Sequence, residues 1–297
     1  MRKLIASAIT LLFFCAGWAQ VPLDREEIRP TKIAPKYFGP YAYPVPDLDE
    51  AKTSGQLSVY LSGDFNIGNI GGKGNEDYTW APSYRISVPL WTDRVNFVSW
   101  GNFHEWWTNS EQSAAARRIN PKYPLKGEAN AQVWLGLDML ILRETEKRPS
   151  VVLSANMLTA MGEYYDRARY YDAAGYHFTA STGKDFAFKD DSRLRASVTL
   201  GFVCWQTKIA SQNDAFLCGL KLSYTRPFLV AAAEYGTYTG WEGDGDQLRV
   251  LKLRADVPFG RFSPFFAYAH GFHDWPFDQF RLGLQVNFDI LKYGRAK

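Results

Sequence analysis

Apolar and polar residues alternate with a period of two along most of this chain. Leu194, Ala196, Val198, Leu200 and Phe202 are separated by Arg193, Arg195, Ser197 and Thr199. Phe280, Leu282, Leu284, Val286, Phe288 and Ile290 alternate with Gln279, Arg281, Gln285 and Asn287. The same rhythm runs through residues 78–90 and 129–141, with Ala129, Ala131, Val133, Leu135, Leu137, Met139 and Ile141 as the apolar set of the second run. An extended strand turns such a sequence into one apolar and one polar face. Twelve long strands are predicted, at about 55–67, 78–90, 95–107, 128–142, 150–163, 175–188, 193–206, 214–226, 228–238, 247–258, 262–272 and 279–290. Strands of soluble proteins usually run about 5–6 residues, whereas a tilted strand crossing a bilayer needs about 9–11.

The connections divide into two sets. Counted from the first hairpin, the odd ones are longer (68–77, 108–127, 164–174, 207–213, 239–246 and 273–278). The even ones are mostly tight (91–94, 143–149, 189–192, 226–227 and 259–261). Long loops at one end, short turns at the other and an even strand count predict an all-β fold: a transmembrane, antiparallel, up-and-down β-barrel of about 12 strands over residues 55–290. Trp91, Trp100, Trp106, Trp107, Trp134, Trp205, Trp241 and Trp275 fall near predicted strand ends, where interfacial girdles sit. A soluble β-sandwich or lipocalin-like barrel would carry shorter strands and turn its apolar face inward.

The N-terminus has a different character. Arg2 and Lys3 precede an apolar run over residues 4–14, and Gly17-Trp18-Ala19 is a small-x-small site, so residues 1–19 read as a signal peptide cut after Ala19. A lipoprotein signal at Cys15 is opposed by Phe14, which stands where a small residue is needed. Export followed by barrel insertion implies the Gram-negative outer membrane. Residues 20–54 interleave Pro22, Pro30, Pro35, Pro40, Pro44 and Pro46 with Tyr37, Phe38, Tyr41 and Tyr43, a spacing that favours extended chain and opposes sheet pairing. This segment is read as a periplasmic lead-in, or else as a plug folded into the barrel or a docking segment for a partner. Residues 291–297 are read as a periplasmic tail.

Composition narrows the chemistry. Net charge is +3 from 34 basic and 31 acidic residues without a basic block, which argues against nucleic acid. Three Cys and four His leave little material for a metal site, and neither a metal nor another cofactor is expected. If alternation is followed strictly, the inward face carries Arg85, Glu128, Asp138, His177, Asp185, Arg193, Arg195, Lys221, Lys252, Arg254, Asp256 and Arg281 as candidate lumen or solute-path residues. His104, Asn130, Asn156, Gln285 and Asn287 add uncharged polar groups. Charges of both signs in a narrow lumen either pair with one another or set a field across a solute path. The seven-to-four excess of basic over acidic charges leans towards anionic solutes.

Other candidates are local. Cys204 and Cys218 flank the predicted seventh turn with an index sum centred on Ser211, which makes them a candidate disulfide in an exported chain. Residues 240–246 alternate acids with glycines, fitting a calcium loop or a hairpin turn equally well. Arg167, Arg169, Tyr170, Tyr171 and Asp172 suit lipopolysaccharide headgroups, carbohydrate or an interface. His177-Phe178-Thr179 is the nearest counterpart to the His-x-Ser of a phospholipase barrel, with Thr in the nucleophile position. No catalytic residue is assigned.

The run Tyr37-Phe38-Gly39-Pro40-Tyr41-Ala42-Tyr43-Pro44-Val45-Pro46-Asp47, together with Ala168-Arg169-Tyr170-Tyr171-Asp172 and Gly201-Phe202-Val203-Cys204-Trp205-Gln206-Thr207, resembles a family of uncharacterised exported outer-membrane barrels of Bacteroidota. The resemblance implies an outer-membrane location and supplies no activity, substrate or catalytic residue. The expectation is a monomeric barrel in contact with outer-membrane lipid, lipopolysaccharide and the assembly machinery, acting as a narrow channel or solute-binding pore for a small solute. The alternatives are a structural or interaction barrel with a closed lumen and, less favoured, a lipid hydrolase.

Overall fold

The computed structural model describes residues 34–290, apart from 73–75, 91, 172 and 209–210. The expected signal peptide, residues 20–33 and the expected tail therefore lie outside the described residues, as do Cys15, Trp91 and Asp172. Fourteen strand segments follow: β1 (Leu57–Gly68), β2 (Asp77–Pro89), β3 (Val95–Asn102), β4 (His104–Asn109), β5 (Lys126–Asn130), β6 (Val133–Leu142), β7 (Ser150–Leu158), β8 (Gly175–Ala187), β9 (Arg193–Lys208), β10 (Ser211–Arg226), β11 (Leu229–Thr239), β12 (Gln247–Asp256), β13 (Phe262–His273) and β14 (Phe277–Phe288). One short helix, α1 (Glu111–Ala116), lies between β4 and β5, capped by the Ser110 hydroxyl.

Each segment pairs antiparallel with its neighbours, and β1 pairs with both β2 and β14, from Leu57 opposite Phe288 to Gly68 opposite Phe277. The sheet closes through the pairing of β1 with β2, as β-structure in lipid requires, while β5 pairs only with β4 among the described strands. Two barrel strands are broken into halves, β3 with β4 and β5 with β6, because β2 pairs with both β3 and β4. The architecture is thus a closed twelve-strand barrel. Sharp turns at one end suit it: Pro227-Phe228 joins β10 to β11, and Gly260 at φ +59° helps turn β12 into β13.

The faces are inverted relative to a soluble protein. Leu61, Leu200, Phe216, Leu220, Phe266 and Leu282 are exposed on the outer surface, while Asp64, Asn66, Thr79, Ser181, Ser197 and Thr199 are buried inside. An apolar exterior around a polar interior is the pattern of a barrel solvated by lipid. Among the described residues, no helix is long and apolar enough to cross a membrane.

Strict alternation fails at the two breaks. In β4 the buried positions are Glu105, Trp107 and Asn109, whereas in β3 they are Asn96, Val98 and Asn102. In β5 Ala129 is buried, whereas in β6 Trp134, Gly136 and Asp138 are. The parity shifts at Phe103 and at Ala131-Gln132, beside Gly101 at φ +148°, where an added Cβ would meet the Gln132 carbonyl oxygen at 2.5 Å. Glu128 and His104 consequently project outside the lumen, where Glu128 accepts from the Trp106 indole at 3.0 Å. Arg193, expected inside, is an exposed residue at the turn end of β9.

The candidate disulfide is corrected by register. The turn between β9 and β10 is tighter than the 207–213 loop, so Cys204 faces Asp214 and Cys218 faces Leu200. Both cysteines are free thiols. The tryptophan girdle is also revised: Trp107, Trp134, Trp205 and Trp275 are buried inside the barrel, while Trp106 and Trp241 are exposed.

Candidate functional site

Residues 34–54 lie inside the barrel. We call this segment the strap. Its backbone begins among the long loops, where Lys36 donates its N–H to the Gly245 carbonyl at 3.0 Å and the Tyr37 hydroxyl donates to Asp244 at 2.7 Å. It ends among the short turns, where the Thr53 hydroxyl donates to the Asp93 carbonyl. Between these points it touches strands on several sides of the lumen, including β1 at Asp64, β12 at Lys252 and β7 at Ser154. Prolines suit this course, because they hold extended chain and remove N–H groups that no strand is placed to accept.

The loop half is an aromatic core sealed by charge. Phe38, Tyr41 and Tyr43 of the strap pack with Trp107, Tyr170, Trp205, Tyr238 and Trp275. Tyr238 donates to the Tyr43 carbonyl at 2.7 Å, and the Trp275 indole to the Pro40 carbonyl at 3.1 Å. Arg117, just past α1, pairs with Asp77 at 2.6 Å and donates to the Phe38 carbonyl. Arg169, on the loop before β8, pairs with Glu105 at 2.6 Å, and all four of these side chains are fully buried. The loops between β4 and β5 and between β7 and β8 therefore fold inward onto the strap instead of standing clear of the mouth.

The turn half is polar. Lys252 reaches Asp47 at 2.6 Å and the Val45 carbonyl at 2.8 Å. Lys221 donates to the Leu48 carbonyl at 3.0 Å and pairs with Glu234 at 3.3 Å. Ser154 donates to the Asp49 carboxylate at 2.8 Å, and Ser223 to Glu50 at 2.6 Å. Arg195 donates to the Glu50 and Ala51 carbonyls while pairing with Glu144 at 2.7 Å and Asp185 at 2.8 Å. Arg281 lies between Asp64 at 3.2 Å and Asp47 at 3.8 Å, Arg254 pairs with Asp256, and Arg85 lies 3.7 Å from Asp138.

The structure thus brings together Arg85, Asp138, His177, Asp185, Arg195, Lys221, Lys252, Arg254, Asp256 and Arg281 around the strap, and leaves Glu128 and Arg193 outside. The inner wall's basic excess is answered by the strap's own acids, so the lean towards anionic solutes loses its basis. Asp47, Asp49 and Glu50 were the missing partners. A signal for them existed: an unbalanced basic lumen beside an acidic stretch in the segment preceding the first strand. Asp64, Asp77, Glu105 and Glu234 carried no such signal, because carboxylates on strands read as ordinary polar alternation. The 240–246 loop serves the strap too: Gly245 accepts from the Lys36 N–H and Asp244 from the Tyr37 hydroxyl, while Asp246 holds the turn by accepting from Asn213 and from the Glu242 N–H.

A cavity of about 380 Å³ remains beside the strap, bordered by Trp100, Trp134, Gln132, His177 and Arg85 on the wall and by strap residues from Pro40 to Glu50.

No family model matches the chain, and no curated protein matches it in sequence. Solved structures do resemble it in fold. An outer-membrane channel from Pseudomonas putida F1 is 11% identical, with 82% of this chain and 100% of that chain covered, at a TM-score of 0.54. The NanC porin is 9% identical, with 77% of this chain and 98% of that chain covered, at a TM-score of 0.50. The fold is accordingly that of outer-membrane porins and channels.

Proposed function

We propose that this protein is an outer-membrane barrel of the channel type whose lumen is plugged by its own strap. The apolar exterior supports insertion in lipid. With the long loops outside, Ala34 lies at the outer face and the strap descends to the periplasmic side before β1 begins.

The observation that carries the reading is the strap's continuous anchorage from Gly245 among the loops to Asp93 among the turns. A wide water-filled path does not fit beside it. Small solutes would pass only where the strap yields. The polar half is the half suited to yielding, because its ion pairs border solvent-sized space, whereas the loop half is sealed by two fully buried pairs. Those sealed pairs favour a second reading, a permanently closed interaction barrel. A lipid-hydrolase role finds no support: His177 lies beneath the strap, away from lipid, and the adjacent Thr179 also faces inward.

Planar-bilayer recording tests the proposal. The intact protein should show no steady open state, and a Lys252→Met, Arg195→Met double variant should show discrete openings as the strap loosens. A steady ohmic current from the intact chain would refute the plug. Silence from a folded double variant would favour the permanently closed barrel.

A further inference from the structure

The cavity beside the strap is lined by a titratable group that the ion-pair network does not use. His177, on β8, is about nine-tenths buried, yet neither of its ring nitrogens has a hydrogen-bond partner within the chain. It lines the cavity and lies 5.1 Å from the Trp134 ring. Trp134 and Trp100 are themselves stacked, with centroids 5.0 Å apart and planes 3° from parallel. Gln132, at the break between β5 and β6, also borders the cavity, and its side-chain oxygen is buried without a partner while its amide donates to the Tyr171 carbonyl.

Buried polar atoms without partners are costly, so a concentration of them on one cavity wall favours an occupant, water or a ligand, that can satisfy them. The groups define its chemistry. A neutral imidazole offers one donor and one acceptor, and the Gln132 oxygen is an acceptor. A hydroxyl both donates and accepts, so vicinal hydroxyls match this set. The stacked indoles add a flat apolar surface suited to the C–H face of a saturated ring. Charge is not on offer: Arg85 faces Asp138, Lys252 faces Asp47 and Glu234, and Arg281 faces Asp64 and Asp47. An anionic ligand would have to break one of these pairs. The cavity, about 380 Å³, is within the range of small-molecule sites, roughly 300–1,000 Å³.

We propose that the cavity lined by His177, Gln132, Trp100 and Trp134 is a binding site for an uncharged, polyhydroxylated ring compound of about monosaccharide size. The inference rests on the plugged-barrel reading, because the strap forms the opposite wall. The two fail differently: a steady open current from the intact chain sinks the plug, whereas a silent intact chain that binds no such ring sinks only the site.

The test is saturation-transfer NMR on the full chain in detergent micelles, with glucose, galactose and myo-inositol as neutral probes and glucuronate as the anionic one. At least one neutral ring should give a saturable signal that glucuronate does not exceed. His177→Phe keeps a ring in place and removes no hydrogen bond within the chain, and it should weaken that signal about tenfold or more. Thr179→Trp, which fills the cavity from the same strand, should do likewise, giving a second variant should the first not fold; folding is checked by heat-modifiable gel mobility. No saturable binding of any neutral ring, equal binding by folded variants, or a preference for glucuronate would each overturn the proposal.

Discussion

Lys252 and Asp47 stand 2.6 Å apart, one on a barrel strand and the other on the segment that crosses the lumen. Lys252 also reaches Glu234 at 3.4 Å, so one wall lysine ties the strap to a neighbouring strand. This contact shows how the polar half of the barrel is organised: the wall supplies cations, the strap supplies carboxylates and backbone carbonyls, and neither is complete alone.

The strap's position can be fixed chemically. With Cys204→Ala and Cys218→Ala as background, Asp49→Cys and Ser154→Cys should form a disulfide on mild oxidation, because the native side chains meet at 2.8 Å. Asp49→Cys with Leu200→Cys should not, since Leu200 is exposed on the outer face. Cross-linking of the second pair, or of neither pair, on non-reducing gels would contradict the threaded strap.

Orientation follows from two lysines at opposite ends of the strap. Lys36 and Lys52 keep 39% and 45% of their side chains exposed, at the loop end and the turn end respectively. A membrane-impermeant amine reagent on intact cells should modify Lys36, and Lys52 only after the outer membrane is permeabilised. Peptide mass spectrometry showing the reverse would invert the barrel.

The sealed half should be intolerant of charge loss. Glu105→Ala leaves Arg169 buried without its carboxylate, a change that costs about 3–5 kcal/mol when an ion pair is fully enclosed. Exposed pairs such as Arg143–Asp93 should cost about 1 kcal/mol or less. Urea unfolding in detergent, compared for the two variants, reads the difference.

Lipid exposure gives an independent contrast. Leu200→Arg places a cation on the outer face and should cost about 2–4 kcal/mol near the midplane. Gln285→Arg, beside the cavity, should cost much less. Equal penalties in folding titrations from urea into lipid vesicles would mean that the faces are misassigned.

The turn-end clasp should resist mild acid. Burial works to raise the pKa of Glu144, but hydrogen bonds from Arg195, the Asp185 backbone and Lys184 prevail and hold it below the ordinary value of 4.5. A carboxylate depressed on folding adds stability above its unfolded pKa and loses it as pH falls through the lowered folded value. Stability should therefore show no Glu144-dependent change from about pH 7 to about pH 5, and a loss below 4.5 that Glu144→Gln reduces. A Glu144-dependent loss already near neutrality in urea-midpoint measurements would show that the clasp is absent.

The wall of this barrel is legible in the chain residue by residue. Period-two patterning is a local property of extended chain, so strand positions, the outward Leu200 and Leu284 and the long-loop, short-turn division were all legible from residues a few positions apart. Tertiary structure decided what occupies the inside. A two-residue break at Ala131-Gln132 reverses which parity points inward, so Glu128 left the lumen although its own pattern had not changed. The pairing of Lys208 with Ser211 sets the register that separates Cys204 from Cys218, and the tightness of a hairpin is not encoded in alternation. The strap obeys no period at all. Its course is set by contacts such as Arg195 with Glu50 and Lys252 with Asp47, residues 145 and 205 positions apart, and such pairings exist only once the barrel has closed around the segment that completes it.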